Sequence, residues 1–395
     1  MGNVHGYEGV AIVGYGETDY HKTDSQPAVF YIADAVSRAL NNAGMTPKEV
    51  DGLSVTSFQI PPDNTTTIAE HLGLSLRWAF HGVYGGASGI IGIAQGARAI
   101  QNGDADVVVV VAGDAFNVAA HNTMMAQFNI PLRDYVSYYG FGGANGIFAL
   151  VQQRHMYEFG TTREQLGVLA VTQRFHASLN PNALLRTRIT LADYLNARLI
   201  ADPLRLYDCV MPCSGGDAVV ISSVERAKKL LRDPIYIRGA GQYHNFRPKD
   251  LVVLSQGWLA YADEMFEQAH MRRDDIDLLE LYDDYPIMEL IQLEDLGFCA
   301  KGDGGPFLER TDVSIHGALP INTGGGQLSA GQCGAGGGMI GPVEAVRQLM
   351  HEAGGRQVPR ARTALVSGFG MVAYGRGLST SAMILANEMD DSGHS

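Results

Sequence analysis

The sequence predicts a doubled, layered α/β protein with helices on both faces of its sheets and an excursion inserted in its first half. Three observations carry this. A chain of 395 residues that is 46% hydrophobic can bury a large core, in two lobes or in one doubled domain. The stretch D-V-V-V-V-V-A at 106–112 is an unbroken apolar run, as expected of a strand in a parallel sheet covered on both faces. Two pairs of segments also recur in the same order. A-G-M-T-P-K-E-V-D-G-L-S-V (43–55) aligns without gaps with A-H-M-R-R-D-D-I-D-L-L-E-L (269–281), and I-I-G-I-A-Q-G-A-R-A-I (90–100) with M-I-G-P-V-E-A-V-R-Q-L (339–349). Two ordered pairs argue for an internal duplication. The halves are then 1–225 and 226–395, packed as an α/β/α/β/α body.

Along the chain, Val10–Gly14 reads as a short buried strand. Asp24-Ser25 and Pro27 read as the start of a helix that runs to Ala43 and stops at Gly44. Thr46-Pro47-Lys48-Glu49 has capping-box spacing with Pro at the first helical position, and Asp51–Val55 returns to strand. V-Y-G-G-A-S-G at 83–89 is a small-residue turn that leads into a helix over 88–102. Residues 114–205 form the excursion, which is helical in pattern and covers a pocket. It carries Tyr135, Tyr138 and Tyr139, and M-M-A-Q-F-N-I-P-L-R-D-Y at 124–135 suggests a roomy apolar cover. In the second half, strands are expected at 278–282 and at Thr363–Val366, and a helix near Pro286.

Charge and cysteine usage exclude several classes. The net charge of −13 disfavours a nucleic-acid or anionic-membrane binder, so an anionic ligand must be held by local Arg, Lys and N–H groups. Four cysteines are too few for a disulfide scaffold of this length, and none has the paired C-x-x-C spacing of a zinc site. The N-terminus lacks the basic and apolar regions of a signal peptide, and no stretch reaches the roughly 18 apolar residues of a membrane span. A cytoplasmic protein is expected. Gly2 opens a myristoylation-like start, but Gly6 stands where that motif has Ser or Thr. Gly14-x-Gly16 has no third glycine and no close following helix, so it reads as a turn, not a dinucleotide fingerprint.

The ordered set V-G-Y-G-E-T, G-A-S-G (86–89), N-P-N-A (180–183), D-P-L-R-L-Y-D-C-V-M-P-C-S-G-G-D-A (202–218), L-Y-D-D-Y (281–285), N-T-G-G-G-Q-L-S-A-G-Q-C-G-A (322–335) and S-G-F-G-M (367–371) resembles the thiolase superfamily. It is most similar to the sterol-carrier-protein-x type of thiolase and its bacterial relatives. The resemblance covers nearly the whole chain and implies the doubled five-layer fold and at least a dimer. It implies no cofactor beyond a coenzyme A thioester as substrate, and no metal. It also implies a small OB-fold/zinc-ribbon partner that helps hold acyl-CoA.

Three departures touch the family's chemistry. Gly86 stands where thiolases carry the nucleophilic cysteine of Cys-x-Ser-Gly, Gln332 where they carry a histidine, and Val366–Gly370 contains no acid/base thiol. Covalent acyl transfer needs an activated nucleophile. A retro-aldol cleavage does not, and nucleophile-lacking relatives with tyrosine at the place of Tyr282 are aldolases acting on β-hydroxyacyl-CoA. The resemblance therefore implies a carbon–carbon lyase of this kind. Tyr282 is the first acid/base candidate and Tyr374 the second. Gln332 orients substrate or water, and Gly86 and Gly368 lie at turns whose N–H groups would stabilise an enolate oxygen. Arg186 and Arg188 lie where the family approaches the nucleotide end of CoA. Cys333 is the displaced nucleophile of an alternative acyltransferase; a degenerate subunit of a hetero-complex is the other alternative. Asp283-Asp284 looks like a carboxylate dyad, but neighbouring residues of a strand point to opposite faces. Asp283 is assigned to capping of the following helix, and the pair to capping or solvation.

Overall fold

The structure, a computed structural model, describes residues 6–389 apart from 24–25, 127–129, 141–142, 231, 248 and 250–251. The expected helix start at Asp24-Ser25, the start at Gly2 and part of the 124–135 cover lie outside the described residues.

The described residues form eleven strands: β1 (Val10–Glu17), β2 (Gly52–Thr56), β3 (Trp78–His81), β4 (Val107–Ala115), β5 (Leu199–Ala201), β6 (Leu204–Arg205), β7 (Ser214–Ser223), β8 (Ile235–His244), β9 (Leu278–Glu280), β10 (Thr363–Ala373) and β11 (Arg376–Ala386). β5 and β6 form a separate ribbon in the excursion. The other nine run in the order β3-β2-β4-β7-β1-β8-β11-β10-β9. Two half-sheets are joined edge to edge by the short antiparallel seam Ala11↔Tyr236 and Ile12↔Ile235. The run at 106–112 is parallel only to β2 and antiparallel to β7, which corrects the parallel-sheet expectation. A continuous apolar strand reports cover on both faces, whatever the direction of its neighbours.

That double cover is visible residue by residue. Val107, Val109 and Val111 enter an outer core with Ile32, Val36 and Leu40 of the helix Ala28–Ala43, while Val108 and Val110 enter a central core. Successive strand side chains alternate between faces, and each buried valine contributes roughly 1.5–3 kcal/mol. The central core holds Ile90 and Ile93 of the helix Ser88–Gln101, Met339 and Val343 of the helix Gly337–Leu349, and strand residues from both halves. A third core packs the helices Ala262–Ala269 and Pro286–Asp295 on the far side of the second half-sheet. These are the five layers.

The duplication is structural as well. The capping box at Thr46/Glu49 recurs at Arg272/Asp275, each just before a strand. The 3₁₀ turn Gly85–Ala87 before one central helix recurs as Gly334–Gly336 before the other. Gly14 and Gly16 lie inside β1, not in a turn. A side chain on Gly16 would put its Cβ 2.5 Å from the Ala35 carbonyl, so glycine here lets the helix Ala28–Ala43 lie directly on the strand.

The excursion contributes the helices Val118–Ala126, Gly143–Phe159, Arg163–Leu179 and Leu191–Leu195. N-P-N-A ties it to both halves: Asn180 Nδ2 donates to the Gly324 carbonyl at 2.9 Å, and Asn182 Nδ2 to the Thr18 carbonyl at 2.9 Å. Among the described residues no helix is long and apolar enough to cross a membrane.

One buried ion cluster supports the central layer. Glu344 is held by Arg347 and by Arg356, whose Nε lies 2.8 Å from Glu344 Oε1. Burial acts to raise this carboxyl, but Arg356 and Arg347 outweigh it and hold it at about 2. Glu344→Ala leaves two buried guanidinium groups short of a partner and is expected to cost about 3–5 kcal/mol in urea unfolding. The folded value lies below the ordinary carboxylate value of 4.5, so the pair's contribution is complete above that pH. It is lost as pH falls toward 2, and the variant should show a flatter stability profile across that window.

Candidate active site

Tyr282 leaves the end of β9 with its backbone clamped by side chains. Its N–H donates to Ser367 Oγ on β10 at 3.0 Å, and its carbonyl accepts from Gln292 Nε2 at 2.8 Å. The N–H of Leu281 donates to Asn322 Oδ1 at 2.7 Å. These side-chain partners replace a strand neighbour, which is why β9 ends at Glu280, short of the expected 282. The clamp aims the ring at the glycine turn. A Cβ built on Gly86 would stand 2.1 Å from Tyr282 Cε2 and 2.4 Å from its hydroxyl oxygen. The phenol thus occupies the space that a side chain at 86 would need.

Both residues line a cavity of about 90 Å³ with Gln332, Asp284, Phe369 and Gly370. Gln332 Nε2 donates to Gln327 Oε1 at 3.0 Å. Burial pushes the Tyr282 phenol well above 10, the charges of Asp284 and Asp283 push it further, and hydrogen bonding to Gln327 and Gln332 opposes them. The phenol therefore keeps its proton at neutral pH and suits the role of an acid. An outer cavity of about 620 Å³ shares His121, Met125, Ala144, Val210 and Tyr285 with the inner one and is walled largely by the excursion. Met124 and Met125 line the inner cavity and Leu132 the outer one, as the apolar cover at 124–135 requires. Tyr135, Tyr138 and Tyr139 are exposed.

Several expected residues lie elsewhere. Cys333 is fully buried and does not line the cavity; its thiol donates to Asp217 Oδ2 at 3.7 Å, and hydrogen bonding with Cys213 together with burial raises it well above 9. The thiol thus lies in a sealed core away from the cavity. Tyr374 sits at the tip of the β10–β11 hairpin in a left-handed conformation, φ +58°, outside the cavity lining. Gly368 backs the turn: a Cβ there would be 2.8 Å from the Gly86 carbonyl oxygen. The β10 residues that border the cavity are Phe369–Val372, with Met371 at φ +59°. Arg186 and Arg188 are exposed and line neither cavity, and Arg188 stacks over Phe175 at 4.6 Å.

The acidic pair behaves differently from its expected role. Asp283 does cap a helix, but not the following one. It accepts from the N–H groups of Gln327 at 2.9 Å and Leu328 at 3.1 Å, at the start of the short helix Gly326–Ser329. Asp284 points the other way and lines the inner cavity. His121, which also lines it, carries no motif that would mark it in the sequence; burial lowers its imidazole below 6.5 and keeps it neutral.

With this geometry in view, the relatives are decisive. The chain is 33% identical over 396 residues to the 17-hydroxy-3-oxo-4-pregnene-20-carboxyl-CoA lyase of Mycobacterium tuberculosis, covering 95% of this chain and 98% of that one. The chain belongs to the thiolase superfamily, and within it to the thiolase-like aldolases. A second aldolase, the steroid side-chain-cleaving aldolase of Thermomonospora curvata, is 32% identical, covering 95% of this chain and 97% of that one. The solved Ltp2-ChsH2(DUF35) aldolase superposes with a TM-score of 0.83 at 30% identity, over 98% of this chain and 99% of that one. Residues 241–387 match the model of the thiolase C-terminal domain-like family. In this chain the Tyr282 ring packs over the glycine at position 86, in the space a side chain there would fill.

Proposed function

We propose that this chain cleaves the Cα–Cβ bond of a β-hydroxyacyl-CoA by a retro-aldol reaction, releasing a ketone or aldehyde and a shortened acyl-CoA. The observation that carries the reading is the Tyr282 ring filling the side-chain space at Gly86. The electrons of the β-hydroxyl O–H bond form the new carbonyl, and those of the Cα–Cβ bond pass to the thioester as an enolate. Gly85, Gly86, Gly370 and Met371 border the cavity where that negative oxygen would form, and we take their backbone N–H groups as its donors. Donors preorganised in a dry site are worth several kcal/mol to such a charge. Tyr282 then returns a proton to Cα, and Gln332 orients the substrate. No step acylates the protein.

The outer cavity suits the apolar body of the acyl group, of the kind named in the two aldolase relatives. The pairing of Ltp2 with ChsH2(DUF35) supports a small second subunit, which we take to be an OB-fold/zinc-ribbon protein that holds acyl-CoA beside a homodimer of this chain in the cytoplasm. Incubation with β-hydroxyacyl-CoA thioesters bearing aliphatic, aromatic and steroid β-substituents should yield carbonyl product plus shortened acyl-CoA. Intact-mass spectra taken during turnover should show no protein adduct. An acyl adduct on Cys333, or thiolysis without cleavage of any β-hydroxy thioester, would replace the lyase reading with a transferase.

A further inference from the structure

We propose that Asp284 is the general base that takes the β-hydroxyl proton, completing an acid–base pair with Tyr282 in the inner cavity. This rests on the lyase reading above, which leaves that proton without an acceptor.

The geometry carries the assignment. Asp284 supplies the one carboxyl among the described residues that lines the inner cavity, on the same wall as Tyr282. Its Oδ1 is sealed from solvent and has no hydrogen-bond partner. A buried carboxylate oxygen left unpaired costs free energy, and a substrate hydroxyl donating to it would remove that cost. Its neighbour shows the contrast: Asp283, one residue away, is fully engaged by the backbone of Gln327 and Leu328. Of the other polar side chains that border the cavity, His121 carries a neutral imidazole and is the competing base. Gln332 has no basicity, and Tyr282 retains its proton.

Burial first, and the charge of Asp283 second, raise the Asp284 carboxyl well above 3.8. The backbone N–H groups of Asp284 and Tyr285 oppose that rise. The titratable groups facing it are Tyr282, Asp283 and Tyr285 from its own segment and His121 from the excursion. In the step, the Asp284 carboxylate accepts the hydroxyl proton as the C=O forms and Cα–Cβ breaks. Tyr282 donates its proton to Cα, and solvent returns the proton from Asp284 to the phenolate.

Two half-reactions separate this from a structural role. Cleavage needs both groups. Exchange of the α-protons of acetyl-CoA or propionyl-CoA with D₂O is the reverse of the last proton transfer: the small fraction of Tyr282 that has lost its proton to solvent takes the α-proton as the phenolate, forms the stabilised enolate and returns a deuteron, with no β-hydroxyl for Asp284 to act on. Protein purified from its native host, with any co-purifying subunit, is assayed for both. Asp284→Asn is expected to lose roughly 10²–10⁴-fold in cleavage kcat while keeping exchange within about threefold, and to lose the acid limb of the pH–rate profile. Asp284→Ala should regain cleavage on addition of formate. Asp284→Asn that cleaves normally, or that loses exchange as fully as cleavage, overturns the role of Asp284 and leaves the lyase reading standing. A wild-type protein that neither cleaves nor exchanges overturns the lyase reading and this proposal with it.

Discussion

Tyr282→Phe is expected to lower kcat for carbon–carbon cleavage by roughly 10²–10⁴-fold, the usual worth of a positioned acid or base. KM should change little. The substitution removes one oxygen and leaves the ring in place against Phe369, whose centroid lies 6.3 Å away. The backbone clamps from Ser367 and Gln292 do not involve the hydroxyl. Urea unfolding should therefore move by no more than about 1 kcal/mol. The pH profile offers a second check. The folded phenol lies well above 10, so its proton is present throughout the neutral range. Wild-type activity should show no basic limb below pH 10 attributable to Tyr282. Full turnover in Tyr282→Phe would remove the tyrosine from the chemistry.

The reverse experiment fills the space at Gly86. Gly86→Cys returns a thiol to the position where thiolases hold their nucleophile, yet it is expected to abolish cleavage without producing thiolysis. The new Cβ would overlap the Tyr282 ring at 2.1 Å, and the ring is held by a clamped backbone, so it cannot simply turn aside. Overpacking of this kind costs about 1–3 kcal/mol. A ring displaced by even 1 Å costs about 10²-fold in rate. The double variant Gly86→Cys/Tyr282→Ala should recover most of the lost stability and none of the cleavage, giving a coupling energy outside additivity. Undiminished cleavage in Gly86→Cys would mean that the two positions do not share space.

Much of this was legible without coordinates. The two recurring segments located the duplication because a strand, a capping box and a central helix each leave a local pattern. The resemblance singled out the Gly86 turn and Tyr282, and both line the inner cavity. What failed to read correctly depended on where neighbouring chain segments pass. Gly14 and Gly16 look like a turn and instead admit a helix onto β1. Gly368 was expected at a turn whose N–H groups stabilise the enolate oxygen; it lies inside β10 against the Gly86 turn, and the β10 residues after it border the cavity. Cys333 adjoins Gln332 in sequence and still points into a sealed core against Asp217. His121 has no sequence signal at all, since a histidine in a helix of the excursion is usually a surface residue.

By itself, then, the sequence determined the layered α/β body, its doubling, the absence of a cysteine at residue 86 and the tyrosine that belongs with it. Each is a property of local periodicity or of residue identity. Only the tertiary structure decided that the phenol stands in the space a side chain at Gly86 would need, and that of two adjacent aspartates one caps a helix while the other lines the inner cavity. Both depend on segments far apart in the chain, Gly86 against Tyr282 and Asp283 against Gln327, whose approach is set by packing. No pattern along a single strand of sequence encodes that distance.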